Sequence, residues 1–182
     1  VKIFGIDPGS ERTGYGCVDT DGSRHQMITS GAIRTRASAS FPEKLLTIHT
    51  GLAALLGECQ PDCVAIENLF TSVNARSALK LAHARGVAML AAVQSGLPVF
   101  EYTPAEVKLA VVGHGRAEKH QVQHMVKLIL GLATLPTPFD ASDALAVAIC
   151  HSHSMAPAGM ALPATSTSRA ATSWRHYRPE GS

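Results

Sequence analysis

Lys2-Ile3-Phe4-Gly5-Ile6-Asp7-Pro8-Gly9-Ser10 is the stretch from which the rest of the chain is read. Residues 2–7 are a short apolar run, and the tetrapeptide that ends it is built for a tight turn. Proline presets φ, and Gly9 is expected to take a positive one. Asp7 therefore closes a strand. Residues 13–19 and 26–35 read as two more strands, with Asp21-Gly22 between them as a hairpin signal. The chain opens as an antiparallel meander.

From Pro42 to Gln60 the apolar period lengthens: Leu45, Ile48, Leu52, Leu55 and Leu56 fall at helical spacing, and Pro61 closes the segment. Residues 62–67 form a short apolar strand expected deep in the sheet. Residues 75–95 form a second helix, with Ala78, Leu79, Ala82, Val87, Leu90 and Ala91 expected as its inner side. A strand at 98–102 and a short helix at 104–112 follow. Residues 117–131 carry the stripe Val122, Met125, Val126, Ile129 and Leu130, and a last helix runs from near Pro138 to about His153. The order βββαβαβααα predicts an α/β fold, a mixed sheet with helices packed on it.

The 182 residues suit one domain. Hydrophobic residues at 46% and charged ones at 16% indicate a globular chain. Apolar stretches are broken well short of the roughly 18 residues that a membrane span needs. With a strand beginning at Lys2 and no room before it for a leader, the expected location is cytoplasmic, without membrane contact. Cys17, Cys59, Cys63 and Cys150 form no paired C-x-x-C motif and read as buried reduced thiols. Two histidines in His151-x-His153 point in different directions on a helix, so no metal is assigned to them. After Ser154 the composition shifts to Ala, Pro, Ser and Thr. The expected organisation is a folded domain over 1–153 and a flexible tail over 154–182. Arg169, Arg175, His176 and Arg178 make that tail weakly basic, which suits either an inert extension or a loose DNA contact.

Four acids sit where chemistry would use them. Asp7 and Glu67 end strands, and Asp140 and Asp143 share a face of the last helix at i and i+3. Clustered carboxylates are the hard oxygen ligands that Mg²⁺ and Mn²⁺ prefer. Two such ions, roughly 3.5–4 Å apart, hydrolyse phosphodiesters. Each acid also has an ordinary explanation. Asp7 suits a turn, Glu67 a strand meeting water, and Asp140 and Asp143 the positive end of a helix dipole, after Thr137-Pro138-Phe139 as a cap with proline in the first helical position. If the four form one site, 10 of the 14 acids remain against 16 bases, leaving a modestly basic surface around an acidic pocket.

The text around these acids is more specific. Gly5-Ile6-Asp7-Pro8-Gly9-Ser10 with Thr13-Gly14-Tyr15-Gly16, Ala65-Ile66-Glu67 followed by Phe70 and Asn74, and Ser77-Ala78-Leu79-Lys80-Leu81 stand in order. Ala84-Arg85-Gly86-Val87-Ala88, Val99-Phe100-Glu101-Tyr102, Ala117-Glu118-Lys119 and Asp140-Ala141-Ser142-Asp143-Ala144-Leu145-Ala146 continue the series. Over about residues 3–153 the chain resembles the RuvC family of Holliday junction resolvases. The resemblance implies a ribonuclease H-like fold with a five-stranded sheet and helices on both faces. It also implies a homodimer that nicks four-way junction DNA symmetrically, with RuvA and RuvB as branch-migration partners.

By matching position, Asp7, Glu67, Asp140 and Asp143 become catalytic metal ligands, and Lys108 and Lys119 become lysines that serve cleavage. Phe70 becomes an aromatic that unstacks bases at the junction. Phosphate neutralisation by lysine and wedging by phenylalanine fit those roles, beside the plainer readings of solvated lysines and a core phenylalanine. Arg76, Lys80 and Arg85 on one helix, and Arg116 in the loop over 113–119, are further candidate DNA contacts. A phosphotransferase of the sugar-kinase, actin and Hsp70 type also begins with a strand, an Asp and a Gly-rich turn, but needs two such domains. A junction-binding relative without chemistry is the other rival.

Overall fold

The structure is a computed structural model and describes residues 1–68 and 74–155. β1 (Lys2–Asp7), β2 (Arg12–Thr20) and β3 (His25–Arg34) form the antiparallel meander. β4 (Cys63–Glu67) and β5 (Val99–Tyr102) add to it in parallel, giving the order β3-β2-β1-β4-β5. The mixed five-stranded sheet expected from the sequence is present.

Side-chain alternation sorts the two faces. Phe4, Ile6, Val64 and Ile66 pack with Ile48, Leu52 and Leu56 of α1 (Phe41–Cys59) and with Ala84, Ala88, Ala91 and Ala92 of α2 (Ala75–Gln94). Ile3, Cys63 and Ala65 pack on the other side with α3 (Pro104–Val112), α4 (Lys119–Ile129) and α5 (Phe139–Met155). The same period of two turns Asp7 and Glu67, the odd-numbered ends of β1 and β4, towards α5. Their position on that face is thus fixed by the parity of the core residues before them.

α5 is buried along most of its length. It lies so close to β1 that a methyl group on Gly5 would run into the Ala144 carbonyl oxygen, and one on Gly14 of β2 into that of Asp140. Two strand glycines therefore let the acidic start of α5 rest on the sheet next to Asp7, which pairs with Gly14 across the ladder.

Four sequence readings are corrected. On α2, Leu79 is 62% and Leu90 50% exposed, while the inner side is made of Ala84, Ala88, Ala91 and Ala92. Small residues let α2 approach the sheet, Val87 and Met89 pack half-buried against the core, and Leu79, Leu90 and Val93 point outward. Gly9 is not among the glycines of positive φ. It is required instead because a side chain there would meet the Arg12 carbonyl oxygen. Pro138 is the cap of α5 rather than its first residue, since its carbonyl accepts from Ala141 N at 3.0 Å and Ser142 N at 3.3 Å. α5 also runs to Met155, into the segment read as tail. The remainder of that segment, 156–182, and Phe70 lie outside the described residues. No helix among the described residues is long and apolar enough to cross a membrane.

Candidate active site

The turn after Asp7 is stapled from β2. Buried Thr13 donates its hydroxyl to Gly9 O at 2.8 Å and accepts from Gly9 N at 3.4 Å. Thr35 adds a hydroxyl to Ser10 O at 3.1 Å. Glu67 follows Ile66, the parallel neighbour of Ile6, and so ends level with Asp7. Its partner on the other side is Tyr102, whose hydroxyl bonds His151 Nδ1 at 2.6 Å and ties the end of β5 to α5. Sequence reading gave Thr13, Tyr102 and His151 no such role. A Thr four residues past a turn glycine is the only signal that pointed there.

Asp7, Glu67, Asp143, Lys108 and Lys119 line one cavity of about 220 Å³. A larger concavity, about 720 Å³, lies at the opposite end of the sheet around Thr20, His25 and Ser152, away from the clustered acids. Lys119, at the start of α4, places Nζ 3.0 Å from Asp143 Oδ2. Lys108 sits on α3, whose start is fixed by Thr103 and Glu106 in a capping box: Thr103 N donates to Glu106 Oε2 at 2.7 Å.

Electrostatics follow from this crowding. Burial first, then the charges of Glu67 and Asp143, push the Asp7 carboxyl well above its usual value, against the pull of Lys119. Burial and Asp143 likewise raise Glu67, opposed by the hydrogen bond from Asp7 and by Lys119 and Lys108. Partial burial alone would lower the Lys119 ammonium, but Asp143, Asp7 and Glu67 outweigh it and hold it above its usual value. Carboxylates packed this way repel one another, and only added positive charge relieves them.

The donor set is one that suits a hard divalent cation. Among the described residues no three His, Cys, Asp or Glu side chains already form an ion cage. The Lys119 ammonium lies on Asp143 and offsets part of its charge, while burial and mutual repulsion raise the carboxyls of Asp7 and Glu67. Asp140, one helical turn before Asp143, has its backbone on Gly14. Its carboxylate does not line the cavity.

The other expected DNA contacts are dispersed. Arg85 is paired with Glu101 on the α1/α2 side of the sheet. Lys80 Nζ stands 5.9 Å from the centre of the Phe41 ring. Arg76 is exposed in the first turn of α2, and Arg116 is exposed between α3 and α4.

Comparison with known proteins gives this geometry a family. A family model described as "Crossover junction endodeoxyribonuclease RuvC" matches residues 3–151. The crossover junction endodeoxyribonuclease RuvC of Trichlorobacter lovleyi is 53% identical over 179 residues, covering 98% of this chain and all of that protein. The one from Pelobacter propionicus is 50% identical over 182 residues, with 98% and 100% covered. Among solved structures, Thermus thermophilus RuvC in complex with a Holliday junction substrate superposes with a TM-score of 0.80 at 34% identity. That match covers 84% of this chain and 93% of the other. With the ribonuclease H-like sheet, the carboxylates at its centre and this agreement over nearly the whole length, the chain belongs to the RuvC family of crossover junction endodeoxyribonucleases.

Proposed function

We propose that this chain resolves four-way DNA junctions by paired phosphodiester hydrolysis, aided at each active site by two divalent ions, Mg²⁺ or Mn²⁺. The convergence of Asp7, Glu67 and Asp143 in one cavity flanked by Lys108 and Lys119 carries the reading. Asp7, Glu67 and Asp143 would hold the ions, with Asp140 close by on the same helix. When bound, the ions supply an activated water and stabilise the leaving oxygen. The two lysines draw the phosphate into an otherwise repulsive acidic pocket and offset the negative charge that grows on it. Burial and the repulsion between Asp7, Glu67 and Asp143 raise the Asp7 and Glu67 carboxyls, and a divalent cation would relieve that repulsion.

A junction has two strands to cut, so two copies of the site are needed, and a homodimer supplies them. The exposed face of α2, with Leu79, Ala82, His83, Gly86 and Leu90 at helical spacing, is the surface that suits a second copy. Family membership supports cooperation with RuvA and RuvB and a cytoplasmic setting, and the four free cysteines are compatible with the latter.

The deciding experiment is a synthetic four-way junction incubated with the full chain and Mg²⁺ or Mn²⁺. Paired symmetric nicks are expected, and Asp143→Asn is expected to abolish cutting while junction binding persists. Asp143→Asn that cuts like the wild type would overturn the reading.

A further inference from the structure

Arg12 and Arg34 are register partners at the open end of the β2–β3 hairpin. Like charges set directly opposite across a ladder destabilise it. Two exposed guanidinium groups there weaken the hairpin unless an anion lies between them. The described residues provide none. Neither arginine forms an ion pair with a described residue. The nearest acid in sequence, Glu11, is held by Lys44 Nζ at 2.7 and 2.8 Å. Glu43, at the start of α1, is committed to its cap by a 2.7 Å bond from Ser40 N.

Strand parity gives the direction in which the pair faces. Gly14 and Gly16 lie under α5, against Asp140 and Leu145, and Arg12 shares their side of β2. Arg34 shares the side of Ala32, the partner of Gly14, whereas Ile33 between them meets Gly51 of α1 on the other face. Parity therefore starts both side chains on the face that carries Asp7 and Glu67, beyond the start of α5, and Arg34 also borders a concavity lined by Arg36, Ser38, Ala39, Glu43 and Thr47. From the Asp7–Gly14 pairing, strands about 4.8 Å apart rising about 3.4 Å per residue put the Arg12 Cα on the order of 8 Å from that of Asp7. Lys108 and Lys119 flank the acids from the α3 and α4 side. The carboxylates thus lie between two sets of cations, and Arg36 extends the exposed charge along the loop after β3.

We infer that Arg12 and Arg34 form a clamp for the phosphodiester backbone, gripping the phosphates next to the one being cut, on the side of the acids opposite Lys108 and Lys119. This rests on the carboxylate cavity being the cleavage site. A phosphate between the guanidiniums turns their repulsion into two attractions, and each neutralised phosphate releases counterions. The clamp reads charge and not base sequence, so it acts equally on any strand presented to the site.

The test is junction binding in EDTA by the wild-type chain and by Arg12→Ala/Arg34→Ala, across a salt series. With two phosphates no longer neutralised, the slope of log affinity against log salt should fall by roughly 1.8, so the variant's deficit shrinks roughly twelvefold between 50 and 200 mM salt. Its melting temperature should equal or exceed that of the wild type, because a repulsive pair has gone. Arg12→Lys/Arg34→Lys should restore most of the slope. If the alanine variant does not fold, Arg12→Gln/Arg34→Gln carries the same test. An unchanged slope overturns the clamp. Wild-type nicking in Mg²⁺ or Mn²⁺, measured on the same preparation, separates the two questions. Its absence sinks the nuclease reading, whereas nicking with an unchanged slope sinks the clamp alone.

Discussion

Gly5→Ala adds one methyl group at the point where β1 supports α5. The new carbon would overlap the Ala144 carbonyl oxygen and stand only 3.0 Å from both Ala144 C and Ala148 N. Non-bonded carbons prefer about 3.5–4.0 Å, so α5 must retreat by on the order of 1 Å. The clashing atoms are helix backbone, which no side-chain rotation can relieve. Overpacking of this kind costs about 1–3 kcal/mol. In a chain of this size that lowers the melting temperature by about 2–12 °C.

Asp143 precedes Ala144, so the same movement carries a proposed metal-binding carboxylate away from Asp7 and Glu67. A misplacement of about 1 Å can cost on the order of 100-fold in rate. Differential scanning calorimetry and single-turnover junction cutting measure the two effects. Gly57→Ala is the control. It sits in α1 with open space where the methyl would go, and it should stabilise by about 0.4–1 kcal/mol with cutting unchanged. If Gly5→Ala melts and cuts like the wild type, the claim that strand glycines set the position of Asp143 is wrong.

Two other outcomes are expected. Burial holds His151 below its usual value near 6.5. The folded chain therefore resists a proton that the unfolded chain accepts. The stability this residue contributes is complete above about pH 6.5 and is lost as pH falls from there through its depressed folded value. His151→Gln should flatten the fall in melting temperature between pH 7 and 5, and an unaltered profile would refute the assignment. Leu79→Glu/Leu90→Glu, on the exposed α2 stripe, should convert the proposed dimer to a folded monomer by sedimentation, with an unchanged circular dichroism spectrum. A variant that stays dimeric would place the interface elsewhere.

Strand parity and helix spacing explain how much of this was legible in the sequence. β1 and β4 end on acids and alternate from the same side, so placing Asp7 and Glu67 together needed only the period of two. Asp140 and Asp143 needed the helical period. Whether α5 lay on the sheet at their level depended on Gly5 and Gly14, whose importance shows only once a helix packs on them. The inner face of α2 is not legible in the hydrophobic pattern alone, because its leucines outweigh its alanines there. Four alanines, suited to close approach, fill that role, and Leu79 and Leu90 stay exposed. The pairing of Arg12 with Arg34 is not legible in the sequence because it depends on ladder register across a β-bulge between Cys17 and Val18. Composition gives no hint of that register.

Mn²⁺ binding, followed by electron paramagnetic resonance on the full chain, tests most directly whether residues from β1, β4 and α5 make one metal centre. The wild type should bind the ion, and Asp7→Asn, Glu67→Gln and Asp143→Asn should each weaken binding by at least about tenfold, with Asp140→Asn doing the same. Equal Mn²⁺ affinity in the wild type and in all four variants would contradict a shared centre.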